Sequence, residues 1–276
     1  MNDIIFEKDK IYIKNTSCFD LAQTLDCGQA FRWTQDDNGV WCGIAFGKYI
    51  ELSNENGNII ITNSNKHDFE NIWYNYFDLN RDYSSIIAEV SSNETVAKAA
   101  DFCSGIRLLN QEPWEALCSF IISQNNNIPR IKGIIERLCE NFGTKIKGGY
   151  TFPSVDVISK LTVEDLSVIR SGFRAKYIID AAQKVSSGDI CLEALKSIDY
   201  DTAREIIMSI KGVGPKVADC VLLYGLGHKN AFPRDVWINR ALEQMFDGNI
   251  PDCAKQYGGI VQQYIFHYEL FGKQKE

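Results

Sequence analysis

The hydrophobic period of this chain changes once and does not change back. Up to about residue 62 the apolar residues fall in short runs, IIFEKDKIYIKN, AFRWTQ, VWCGIAF, KYIELS and NIIITN, divided by DDNG, FGK and NENG. Asn and Gly tolerate the positive φ that tight hairpin turns demand, so these runs predict an antiparallel sheet. DFENIWYNYFDL then places Ile72, Trp73, Tyr76 and Phe77 on one side of a helix that can pack on it. Beyond about residue 85 every periodic segment reads as helix: EPWEALCSFIISQ, PRIKGIIERLCENFG, DVISKLT, VEDLSVIRSG, AKYIIDAAQKVSSG, DTAREIIMSI, GPKVADCVLLYGLG, RDVWINRALEQMF and KQYGGIVQQYIFHYELF. Pro129 suits a first helical turn and Gly143 a helix end. The fold class is α+β, with an antiparallel sheet domain over residues 1–100 and an all-α domain over residues 101–276.

With 276 residues, 45% of them hydrophobic, the chain can build substantial cores. No apolar stretch is long enough to span a bilayer, and MNDIIFEKDKIYIKN lacks the basic start and apolar run of an export signal. A cytoplasmic protein without a membrane partner is expected, associated with the nucleoid in a bacterium or archaeon. The nine cysteines form no C-x-x-C pair and lie mostly in apolar runs, which fits reduced, buried thiols. His67, His228 and His267 are too widely spaced for a zinc site, so no metal held by side chains is expected. A net charge of −7 argues against a general coat for nucleic acid. Residues 121–216 nevertheless hold 14 Lys and Arg against 11 Asp and Glu, so a local nucleic-acid face is compatible with the acidic total.

The densest chemistry lies in IKGVGPKVADCVLLYGLGHKNAFPRDVWINR, residues 210–240. A Gly-Val-Gly turn entering a helix exposes backbone N–H groups that lack internal partners, and these can hold a phosphate. Gly212, Gly214 and Val217 are the expected phosphate grip, within a helical hairpin spanning about 203–225. Lys216 offers an amine beside that grip, and Asp235 a carboxylate nineteen residues later. Taken singly, such a lysine is most often a solvated charge, and an aspartate after Phe-Pro-Arg a helix N-cap. Asp235 is expected to cap RDVWINRAL whatever else it does.

Gly212, Val213, Gly214, Lys216, Val217, Ala218, Asp219, Cys220, Pro233, Asp235 and Val236 stand in the register of the helix-hairpin-helix DNA glycosylases, which this segment resembles. LDCGQAFRW, GIRLLNQEPWEALCSFIISQNNNIPRIKGIIERLCENFG, GFRAKY and YGGIVQQYIFHYEL extend the likeness to the eukaryotic-type 8-oxoguanine DNA glycosylases. The resemblance implies a TBP-like sheet domain, then a helical glycosylase domain acting as a monomer on double-stranded DNA containing 8-oxoguanine. It implies a flipped base, a Schiff base on Lys216 and strand nicking by β-elimination, with Asp235 opposite the cationic sugar. Gly28, Cys220, Gln262 and Phe266 fall at its base-binding positions. Gln262 and Phe266, four apart, share a helix face. Asn125, Arg130, Phe173 and Arg174 fall at its opposite-base positions. Phe173 stands where the family often has tyrosine, and Trp237 where a histidine is expected.

No cofactor is implied. Only Cys253 lies where some members of the superfamily carry four cysteines for an iron–sulfur cluster, so no cluster is expected. A structural cation at the hairpin, on the carbonyls of Met208, Ile210 and Val213, is compatible with the likeness. Two other functions share the plan: an alkylated-purine glycosylase, against which Lys216 counts, and a non-catalytic helix-hairpin-helix DNA-binding module, in which Asp235 and the Gln262/Phe266 pair have no task.

Overall fold

The computed structural model describes residues 3–8, 10–14 and 16–272. By packing the chain forms two compact units, each drawn from separated stretches. One comes from Met1–Gln29, Leu52–Asn110 and His228–Glu276, the other from Ala30–Glu51 and Gln111–Gly227. The helix-rich part of the sequence is thus shared between them.

Six strands come first: β1 (Ile4–Phe6), β2 (Ile11–Ile13), β3 (Trp33–Gln35), β4 (Trp41–Ala45), β5 (Lys48–Glu55) and β6 (Asn58–Thr62). In the first unit β1, β2 and β6 are antiparallel, with Ile4 opposite Ile13 and Tyr12 opposite Ile60. IIFEKDKIYIKN is therefore a pair of strands, not one. Asn56 and Gly57, between β5 and β6, both have positive φ, the twist a two-residue hairpin requires. In the second unit β3 pairs with β4, Trp33 opposite Gly43, and Asp36 secures their turn by accepting from the Asn38 and Val40 amides.

The first unit also holds α1 (Leu21–Leu25), α2 (Tyr83–Val90) and α3 (Glu94–Phe102). Helical turns from Lys66 to Tyr76, in part π-helical, bury Trp73, Tyr76 and Phe77 as the pattern predicts. The second unit holds α4 (Pro113–Ser123), α5 (Ile128–Phe142), α6 (Ala175–Ser186), α7 (Tyr200–Met208) and α8 (Pro215–Tyr224). α4 is buried from Pro113 to Ile122 and packs on α5, α6 and α8. α9 (Val236–Phe246) and α10 (Ala254–His267) return to the first unit, where α10 packs on α3.

Three features depart from the sequence expectation. Lys145–Ile146 and Gly149–Tyr150 form a small hairpin, β7 and β8, in a region expected to be helical throughout, because Gly148 and Gly149 take positive φ there. VEDLSVIRSG forms only a 3-10 turn over Asp165–Ile169, since the left-handed Arg170 and Gly172 stop it. DVISKLT is helical only over Val155–Ile158.

Candidate active site

Within the second unit, α7 and α8 form the expected helical hairpin. Gly212 has φ +76°, and a Cβ there would lie 2.4 Å from the Tyr177 ring, so the turn needs glycine. Gly214 is extended at the N-cap of α8, with open space where a Cβ would be. The helix closes with Ala218 N–H donating to the Gly214 carbonyl at 3.0 Å. Pro215 has no N–H, so the Lys216 and Val217 amides point from the helix start without intrahelical partners. The Val217 side chain is buried, and its part in an anion grip is through its backbone alone. Asp219 locks the hairpin from inside, accepting from Arg204 Nε at 2.6 Å and Tyr200 Oη at 2.7 Å. That hydrogen bond raises the Arg204 guanidinium above its ordinary value, while burial, then Asp219, raises the Tyr200 phenol.

Lys216 is half-buried in the first turn of α8. Its Nζ donates to Ser123 Oγ at 3.4 Å and lies 5.5 Å from the centre of the Phe120 ring, so the last turn of α4 seats the amine. Phe120 is itself stacked on Tyr224, and Ser123 donates to the Phe120 carbonyl at 2.8 Å. Cys220, one turn beyond the amine, is buried.

The chain leaves α4 through a turn that carries Asn125, the first of the expected opposite-base residues. Asn125 is exposed and left-handed, with φ +46°. Arg130 is exposed in the first turn of α5, whose N-cap Asn127 accepts the Arg130 amide at 3.0 Å. Phe173, 47% exposed on a 3-10 turn begun by Gly172, is an apolar side chain free to act as a wedge. Arg174 does not join this exposed set. It is 2% exposed, and its guanidinium lies 4.5 Å from the Phe173 ring while donating to carbonyls of residues 124, 125 and 171.

The first unit carries the remaining candidates. Asp235 is the N-cap of α9, its Oδ1 accepting from Ile238 N–H at 2.8 Å, as the sequence predicts. The loop before it rests on α10: Gly259 N–H donates to the Lys229 carbonyl, and a Cβ on Gly258 would lie 2.5 Å from the Asn230 carbonyl. The first turn of α9 leaves Val236 at 81% and Trp237 at 45% exposure, so an indole occupies the surface expected to carry an imidazole. Gly28 has φ +83°, and the neighbouring Gln29 is fully buried. Gln29 Nε2 donates to the Thr24 and Arg107 carbonyls at 2.8 Å each, and its Oε1 accepts from Leu109 N–H at 2.9 Å. That cage fixes where the Gly28 carbonyl can point. Gln262 on α10 is 5% exposed, and its Oε1 is buried without a hydrogen-bond partner among the described residues. Phe266, one turn on, is half-buried. A buried, unsatisfied acceptor costs stability unless a ligand completes it, as a purine edge would.

Ser123, Gln29 and Gly258 were not apparent from the sequence as site residues. The Gly258–Gly259 pair inside a helical pattern carried a usable signal, because it marks a close backbone approach. Ser123 and Gln29 carried none.

A glycine-turn hairpin with open amides, an amine at its helix start and a capping aspartate on the following helix define the helix-hairpin-helix class of base-excision repair proteins. Residues 11–117 match the 8-oxoguanine DNA glycosylase N-terminal domain, and residues 118–252 the HhH-GPD superfamily of base excision DNA repair proteins. An N-glycosylase/DNA lyase of Saccharomyces cerevisiae is 37% identical over 257 residues, covering 82% of this chain and 68% of its own. The structure of MBOgg1 in complex with a low affinity DNA ligand is 39% identical, covers 100% of both chains and superposes with a TM-score of 0.94. The Clostridium acetobutylicum 8-oxoguanine glycosylase/lyase, solved with dsDNA containing cytosine opposite 8-oxoG, is 37% identical with a TM-score of 0.91, over 99% of this chain and 98% of its own. The chain belongs to the 8-oxoguanine DNA glycosylase family of the HhH-GPD superfamily.

Proposed function

We propose that this protein removes 8-oxoguanine from duplex DNA and then nicks the strand, with Lys216 as nucleophile. The observation that carries the reading is the seat of Lys216: an amine held by Ser123 and Phe120 in the same helical turn as two backbone amides without intrahelical partners. The amides suit a backbone phosphate. With a phosphate held there, the amine is placed to reach the sugar of an everted nucleotide, and eversion costs a few kcal/mol of stacking.

The Lys216 amine attacks the sugar C1′ through its nitrogen lone pair and gives up a proton as the C1′–N9 bond breaks and the electron pair leaves with the base, which takes up a proton. The sugar ring opens to a protonated imine on Nζ. Loss of the C2′ proton then expels the 3′ phosphate by β-elimination, and water releases the sugar end from the lysine. The Asp235 carboxylate stabilises the positive charge that develops on the sugar as the base leaves. Gln262 supplies an amide to the base edge and Phe266 a ring for its plane, and Cys220 is assigned a further contact with the base. The Gly28 carbonyl accepts from N7–H of the oxidised base and repels the N7 lone pair of guanine, a reversal that costs about 1–3 kcal/mol. A cation at the hairpin would be held by the Met208, Ile210 and Val213 carbonyls and would add positive charge beside the phosphate; Ile210 shares its oxygen with the Val213 amide.

Borohydride reduction during turnover of duplex DNA containing 8-oxoguanine is expected to leave protein covalently attached to DNA. Lys216→Gln is expected to abolish the adduct while retaining lesion binding. An adduct formed by that variant would refute the assignment of the nucleophile.

A further inference from the structure

The loop before Asp235 carries a lysine that the excision chemistry leaves without a task. Lys229 is half-buried, and its Nζ donates to Asn110 Oδ1 at 2.5 Å. The acceptor is itself fixed: Asn110 Nδ2 donates to the Asn75 carbonyl at 2.7 Å, and its backbone N–H to the Tyr76 carbonyl at 2.9 Å. With the amide nitrogen committed to a carbonyl, the Asn110 oxygen has to face the lysine. Burial lowers the Lys229 ammonium to about 8, Asp78 opposing that shift and Arg81 adding to it. An ammonium drawn out of water needs a partner held in place, and Asn110 is one.

The backbone of the same residue is held as well. The Lys229 carbonyl accepts from Gly259 N–H on α10 at 2.9 Å, and the His228 carbonyl from Ala231 N–H at 2.9 Å. Ala231, Phe232 and Pro233 are buried and lead to Asp235, six residues beyond Lys229. A short packed segment that includes a proline has little slack, so a displacement at Lys229 is passed on to the carboxylate. Asn110 and Lys229, 119 positions apart, come from separate stretches of the first unit, and their contact ties the Asp235 loop to a stretch distant in sequence. We propose that Lys229 is a positioning residue: its ammonium, seated on Asn110, holds the loop so that the Asp235 carboxylate stands where the sugar cation forms. The inference rests on the excision activity proposed above, in which Asp235 acts as the base leaves. A sugar that has already lost its base needs only the Lys216 amine.

Two single-turnover rates, release of 8-oxoguanine and nicking of a duplex with a preformed abasic site, separate positioning of Asp235 from general damage. Lys229→Met is expected to slow base release by about 10-fold to 100-fold, the range for a displacement approaching 1 Å at a reacting group. Nicking of the abasic duplex stays within about threefold of the parent. Lys229→Arg, whose cationic side chain can still donate to Asn110, retains most of the release rate. Placed in Asp235→Asn, the Lys229→Met change is expected to slow release by less than about threefold further, because the carboxylate it positions has lost its charge. Equal slowing of release and nicking, or losses that multiply in the double variant, overturns the proposal. Should Lys229→Met fold poorly, Asn110→Leu removes the acceptor and keeps the lysine, with the same split expected. Failure of both variants to fold would make the contact a requirement of the fold and overturn the positioning role. A parent protein that releases no 8-oxoguanine sinks the excision reading itself, whereas an active parent with equal losses in the variant sinks only the tether.

Discussion

Asp235 carries two tasks that substitution can separate. Its Oδ1 accepts the Ile238 amide at the start of α9, and its charge is assigned to the sugar cation. Asn caps helices about as well as Asp, whereas Ala at an N-cap costs about 1 kcal/mol. Loss of the negative charge at the helix start costs roughly another 0.5 kcal/mol in either variant. Asp235→Asn should therefore lose about 0.5 kcal/mol and Asp235→Ala about 1.5 kcal/mol, a difference worth about 2–4 °C in melting temperature for a chain of this size. The rate behaves otherwise. Removing a preorganised charge aimed at the transition state costs on the order of 10²–10³, about 3–4 kcal/mol, and both variants lose it. Thermal melting and single-turnover base release, read by alkaline cleavage at the abasic site, give the two numbers for each protein. Equal rate losses with unequal melting temperatures are expected. Base release by Asp235→Asn within about threefold of the parent would show that the carboxylate matters only as a cap, and the electrostatic role would fall.

Gln262→Leu removes a buried acceptor that has no partner among the described residues, so thermal stability should hold or rise slightly while excision of 8-oxoguanine falls by about 10-fold or more; unchanged excision would remove Gln262 from the base pocket. Gly212→Ala forces a left-handed alanine whose Cβ meets the Tyr177 ring, a cost of about 2–4 kcal/mol that denaturant titration should register with weaker binding to undamaged duplex, and near-parental values for both would refute the turn geometry. Glu112, at the start of α4, is pushed up to about 6 by burial and by Glu115. Because the fold favours its protonated form, stability from this group is complete below about pH 4.5 and is lost as pH rises through 6. Glu112→Gln should therefore match the parent near pH 4 and exceed it by about 1 kcal/mol near pH 7.5, after allowance for its partial exposure; a difference that does not change with pH in urea titrations would contradict this.

What could be read from the sequence follows the range of the interaction involved. The Asn56–Gly57 hairpin, the Asp235 cap and the Gly212 turn are decided by one to four neighbouring residues, and each takes the predicted form. VEDLSVIRSG misled because its apolar spacing suits a helix, whereas left-handed Arg170 and Gly172 end it after one 3-10 turn. Gln29 lies beyond such reasoning. It acquires a role only when folding brings Arg107 and Leu109, about eighty positions later, to its amide. The same holds for packing units assembled from separated stretches, which no local signal marks. Lys216, Asp235 and Phe173 are recognisable because their chemistry resides in the side chain: an amine, a carboxylate, an exposed ring. Residues that hold a site in place, such as Ser123 and Gln29, work through a lone hydroxyl contact or through backbone groups. Any polar group of suitable reach can make those contacts, so the identity of the residue says little.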